Sequence, residues 1–123
     1  MGTIKSFRDL DVWKKSMDFA EHVYKVQRNF PDSERFGLAD QLRRAVVSIP
    51  SNIAEGHGRG TTKDFARFLT LAQGSLNEVS TQLELAHRFG YLPSETGLYE
   101  EATEIAKMLS SLIKSLDKKE KCK

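Results

Sequence analysis

Gln41–Gly60, QLRRAVVSIPSNIAEGHGRG, combines an apolar helix face with a proline in mid-run and a run of glycines at its end. Leu38, Leu42, Ala45, Ile49 and Ile53 recur at steps of four and three, the spacing of one helix face. Gln41, Ser48, Asn52 and Glu55 repeat with the same period on a neighbouring flank, with Arg44 close to them. Pro50 has no N–H to give to the carbonyl of Val46, so a helix through it must bend or loosen. Ser48 and Asn52 sit on either side of that weak point. Gly56, Gly58 and Gly60 predict the end of the helix and a loop. A helix with such a defect needs neighbours on more than one side, which predicts a packed bundle and allows for a partner chain.

Outward from this stretch the helical periodicity continues. Downstream, Thr61-x-x-Asp64 resembles a capping box and opens a third helix over about 62–89. Phe65, Leu69, Ala72, Leu76, Val79, Leu83 and Ala86 alternate steps of four and three along it, over a length of roughly 40 Å. Its flank of Leu71, Ser75, Gln82 and Phe89 mixes polar and apolar residues. Gly90-Tyr91-Leu92-Pro93 closes it. A fourth helix over about 95–118 carries Leu98, Ala102, Ile105, Leu109, Leu112 and Leu116 at the same spacing, starting near Ser94–Thr96. Its acids lie at the start and its lysines at the end, as the helix dipole favours, and the tail from Lys118 is expected to fray.

Upstream, a first helix over about 10–30 has two apolar stripes: Leu10, Trp13, Met17, Ala20 and Tyr24, and beside them Val12, Phe19, Val23, Val26 and Phe30. Together they cover about half the circumference. Two readings fit equally: a helix sunk deep in its own domain, or one buried against another subunit. Pro31-Asp32-Ser33 stops it. No segment alternates like a strand. The expected fold is all-α, an antiparallel up-and-down four-helix bundle forming a single domain over 1–123, with its helices over about 10–30, 38–56, 62–89 and 95–118 and shallow crossings of about 20°.

Length and composition agree. The chain has 123 residues, 39% hydrophobic and 29% charged, which fits one globular domain. The net charge is +2, and the excess sits in residues 1–30. A bias that weak does not by itself indicate nucleic acid. Cys122 is the sole cysteine, so no internal disulfide can form. Charges stand where a signal peptide would need an apolar run, and no apolar stretch approaches the ~20 residues of a membrane span. A cytoplasmic location is expected.

Catalytic patterns are sparse. Glu84-Leu85-Ala86-His87 matches the Glu-x-x-His of di-iron bundles, but such a site needs two copies and two further inward glutamates. His22, His57 and His87 lack Cys, Asp or Glu at zinc-ligand spacing. Gly56–Gly60 fails both phosphate-loop glycine patterns and follows no strand, which favours a flexible turn with caps. No catalytic, metal or cofactor-binding residue is assigned. Lys14, Lys15, Arg43, Arg44, Arg59, Lys63 and Arg67 are candidates for phosphate contacts, set against the commoner case of scattered charge on a solvated face. Gln41, Arg44, Ser48, Asn52, Glu55, Ser75, Glu78 and Gln82 are candidates for a buried polar network or a subunit interface. The network is the favoured of the two, because buried polar groups must find partners.

The residues Leu10-Asp11-Val12-Trp13-Lys14, Phe30-Pro31, Phe36-Gly37-Leu38, Gln41-Leu42-Arg43-Arg44-Ala45, the run SIPSNIAEG from Ser48 to Gly56, Phe68-Leu69, the run AQGSLNE from Ala72 to Glu78, and Gly90-Tyr91 are similar to a known pattern. On them the chain resembles the four-helix-bundle proteins encoded in intervening sequences of bacterial 23S ribosomal RNA genes, from about Phe7 to Leu116. The resemblance implies a bacterial cytoplasmic bundle that assembles as a homopentameric ring, with no established activity. More distantly it resembles the accessory variability determinant of diversity-generating retroelements, which implies a link to a reverse transcriptase and nucleic acid. The expectation is therefore a non-enzymatic oligomer that binds RNA or DNA, or that scaffolds a nucleic-acid-processing partner. A purely structural self-assembling protein is the alternative, and a metal-binding bundle enzyme the remote one.

Overall fold

In a computed structural model, residues 4–93 and 95–121 are described; Ser94, Cys122 and the extreme termini lie outside them. The expectations for Ser94 as a helix start and for Cys122 therefore fall outside the described residues. Four helices follow one another: α1 Asp11–Gln27, α2 Leu38–Gly58, α3 Thr62–Arg88 and α4 Leu98–Lys121. A 3-10 turn, Phe7–Asp9, precedes α1, and a second, Asp32–Glu34, lies in the link to α2. No strand occurs among the described residues. Helix packs on helix in the order α1–α2–α3–α4 and back to α1, and among the described residues the backbones of the diagonal pairs do not approach one another. The fold is the expected all-α four-helix bundle.

The boundaries follow local chemistry. α1 stops at Gln27, short of the expected end, because Pro31 disfavours helical backbone just before it. Phe30 still turns back into the core and stacks on Tyr91, with ring centroids 5.4 Å apart. The Tyr91 hydroxyl donates to Glu34 at 2.8 Å, which ties the α1–α2 and α3–α4 links together at one end of the bundle. Thr61 caps α3, its hydroxyl accepting from the Asp64 N–H. α4 starts three residues later than expected, after Gly97 at φ +77°, and its C-terminal lysines remain helical to Lys121.

α2 differs most from its reading. It runs unbroken through Pro50 and past Gly56 to Gly58, and only Gly60, at φ +85°, makes the turn. Gly56 is a packing residue and not a terminator. A Cβ placed on it would lie 2.4 Å from Cβ of Phe68 on α3. Here α2 and α3 approach so closely that no side chain fits between them.

The core takes Val12, Phe19, Val23 and Phe30 from the first helix region, and Leu42, Ile49, Ile53, Leu69, Leu83 and Leu109 from the others. The two stripes of α1 thus part company. One is core. On the other, Met17 and Tyr24 stay 38% and 37% exposed, so α1 is not sunk in its own bundle on all sides.

Ser16 is fully buried in α1, and its hydroxyl has no hydrogen-bond partner. An unsatisfied buried hydroxyl costs about 1–3 kcal/mol. Ser16→Ala removes that cost, leaves almost no void and favours helix, so it should raise stability by about 1 kcal/mol. A thermal melt followed by circular dichroism checks it.

Candidate functional site

The basic candidates separate into three groups. Arg59, Lys63 and Arg67 surround the short turn between α2 and α3. The guanidinium carbons of Arg59 and Arg67 lie 5.0 and 4.6 Å from the ring centroid of Phe68, so one aromatic ring orients both. Each also has an acid one turn away on its own helix: Arg59 meets Glu55 at 3.1 Å and Arg67 meets Asp64 at 4.0 Å. These pairs are exposed and hold their cations only weakly. Lys63 is exposed on the first turn of α3, and His57 sets its ring edge-on to Phe65.

Lys14 belongs to the same end. The first 3-10 turn packs against both α1 and α2, and Asp9 within it feels the charges of both Lys14 and His57. The Asp9 carboxylate is held below its ordinary range, chiefly by the backbone N–H groups of Lys5 and Ser6 that donate to it. The last turns of α4 run beside the first turns of α3, where Thr62, Lys63 and Arg67 share a shallow cleft with Leu116, Asp117 and Glu120. Lys114, Lys118 and Lys121 of α4 therefore add to this end. The segment from Lys118, expected to fray, is helical to Lys121. The acid-first, lysine-last order of the fourth helix was the signal, because in an antiparallel bundle it places those lysines beside the start of the third helix.

The other candidates lie elsewhere. Arg43 and Arg44 are near the opposite end of α2, about 22 Å away along the axis. Arg43 donates to Gln27 at 2.7 Å and to the Arg35 carbonyl at 3.1 Å, and Arg44 pairs with Asp40 at 3.0 Å. Lys15 crosses to Glu104 of α4 at 2.9 Å. The α1–α4 seam also joins His22 to Glu101.

The polar stripe makes no network between helices among the described residues. The Ser48 hydroxyl donates to the Ala45 carbonyl at 2.6 Å, and the Asn52 amide donates to the Ser48 carbonyl at 2.8 Å. Both bond backward onto their own helix, as short polar side chains do, on either side of Pro50. Glu55 pairs along the helix with Arg59, while Gln41 and Glu78 are exposed and Ser75 is half-buried. Gln82 is only 6% exposed, and its side-chain oxygen has no partner.

Glu84 and His87 form no metal centre. Glu84 accepts from Arg88 at 3.2 Å and from Tyr99 at 3.3 Å, and the Arg88 hydrogen bond holds its carboxyl below the usual range. No three His, Cys, Asp or Glu residues are grouped closely enough to bind a metal ion among the described residues. No helix there is long and apolar enough to cross a membrane. A hollow of about 610 Å³ forms an open apolar groove between α1 and α2, lined by Trp13, Met17, Tyr24, Val47 and Pro50 among others.

Comparison with known proteins agrees with this architecture. A protein of unknown function from the S23 ribosomal protein family of Bacteroides thetaiotaomicron VPI-5482 superposes with a TM-score of 0.77. It is 31% identical, and the match covers 84% of this chain and 95% of that one. No curated protein matches the chain. The 23S rRNA-intervening sequence protein family matches residues 8–111, and the chain belongs to that family.

Proposed function

We propose that this protein is a non-enzymatic, oligomeric scaffold of the cytoplasm that holds RNA or DNA by its phosphates, at the end of the bundle where α2 turns into α3. The observation that carries this reading is the cluster of Arg59 and Arg67 around Phe68, with the exposed Lys63 on the same turn and Lys14 and the C-terminal lysines of α4 at the same end of the bundle. Phosphate contacts need cations that extend into solvent, and these do. Phe68 itself is buried, so the patch offers charge and no open stacking face for a base. Such a patch reads the backbone and not the sequence. The acids Glu55, Asp64, Asp117 and Glu120 thin the charge of one copy, so useful affinity calls for several copies acting together. No nucleophile with an adjacent base is assembled among the described residues, which favours a binding role over a catalytic one.

A gel-shift titration tests this. Binding of a mixed-sequence RNA or duplex should weaken steeply from 50 to 200 mM salt, as counterion release requires. Arg59→Ala with Lys63→Ala and Arg67→Ala should lower affinity at least tenfold at fixed salt and flatten the salt slope. Arg43→Ala with Arg44→Ala, at the far end, should change it less than twofold. If the wild-type oligomer binds nothing at 50 mM salt, the nucleic-acid reading is wrong and the purely structural assembly remains.

A further inference from the structure

We infer that the groove between α1 and α2 seats the outer face of α3 from a second copy of this chain. This rests on the oligomeric reading above and assigns the two surfaces that would meet. Three features of the surface have no explanation inside one chain.

The groove is the first. Trp13, Met17, Tyr24, Val47, Pro50 and Ala54 give it an apolar lining, with Met17, Tyr24 and Val47 more than a third exposed. The second is the outer shoulder of α3. Leu71, Leu85 and Phe89 are 47%, 39% and 56% exposed, and they share one helix face, with Glu78 midway. Gln82 lies on the inner edge of that face with its unpartnered oxygen. Gly74, on the outer edge, weakens the middle of a 27-residue helix, yet an added Cβ there would meet nothing within 4 Å. Nothing in the chain itself needs a glycine at that position; a closely approaching helix would. The third feature is charge. Lys25, Arg28 and Glu21 on the groove rim form no ion pair among the described residues, which leaves the rim one positive charge in excess, and Glu78 forms none either.

The two faces complement each other and not themselves. One is concave and apolar with a net positive rim, Lys25 and Arg28 against Glu21; the other is convex and apolar with an unpaired acid at its centre. By contrast, the outer side of α4 shows no large exposed apolar residue except Tyr99, which is tied to Glu84. Contact between unlike faces is heterologous: each copy offers its groove to one neighbour and its α3 face to another.

That property gives a decisive test with the full chain. Met17→Glu with Val47→Glu disables the groove, and Leu71→Glu with Leu85→Glu disables the α3 face; all four positions are exposed in the single bundle. In sedimentation velocity at micromolar concentration the wild type should be an oligomer and each double variant a helical monomer. An equimolar mixture of the two should form a dimer, because each supplies the face the other lacks. If the variants assemble as the wild type does, or if the mixture stays monomeric, these faces are not partners, and the oligomeric reading survives without them. If the wild type itself is monomeric, both readings fall. Should a glutamate variant unfold, Gly74→Arg replaces it: the single bundle has room for that side chain, so assembly must weaken, and unchanged assembly overturns the pairing.

Discussion

Gly56→Ala should destabilise the protein by about 3 kcal/mol, near the upper end of the range for overpacked sites. The new methyl group would lie 2.4 Å from Cβ of Phe68, an atom fixed close to the α3 backbone that no rotamer change can move aside. The helices would have to separate, and α2–α3 is the most extensive contact in the bundle. Opening it would also disturb Phe68, the ring that orients Arg59 and Arg67. In water alone, Gly to Ala inside a helix gains up to about 1 kcal/mol. Gly58, the last residue of the same helix, has nothing within 4 Å of an added Cβ, so it meets no clash and can gain part of that propensity. Gly58→Ala should therefore be neutral or stabilising, while Gly56→Ala lowers the thermal midpoint by roughly 10 °C. Equal midpoints for the two variants would show that the close approach does not exist.

Phe19→Ala should cost about 3–5 kcal/mol, the largest single loss expected from truncation in the core. Phe19 has no exposed surface and sits on the inner stripe of α1 between Val12 and Val23. Its removal leaves a void that rigid neighbouring helices cannot fill. Met17→Ala, two positions away but on the groove stripe, should cost less than about 1 kcal/mol in a dilute monomer, because that side chain is already partly hydrated. Urea denaturation gives both values from the midpoints at an unchanged slope. Comparable losses at the two positions would mean that both stripes of α1 are core.

The candidate site was legible only in part. Arg59, Lys63 and Arg67 are close in sequence across a short turn, so their proximity could be read without coordinates. Arg43 and Arg44, candidates for the same phosphate contacts, lie far from them because a helix is a rod that carries its two ends apart. The α4 lysines are far away in sequence and near in space, which only chain topology reveals. Among the described residues, the polar stripe forms no network inside the chain for a different reason. A period identifies a shared face, but it does not say whether a hydroxyl or amide will reach across to a neighbour or turn back to its own carbonyls. Ser48 and Asn52 turn back, on either side of Pro50 in a helix that runs on unbroken.

What the sequence determined by itself was the number of helices, their order and their inward faces. Steps of four and three are a local property of the backbone, and Leu69, Leu76, Leu83, Ile49 and Ile53 are all buried where that periodicity placed them. What only tertiary structure decided was everything that depends on the distance between helices. It made Gly56 a packing residue where the glycine run suggested a stop, and it left one apolar stripe of α1 in a groove while the other became core. The physical reason is that periodicity fixes the direction in which a side chain points, whereas burial depends on whether another element stands there to meet it.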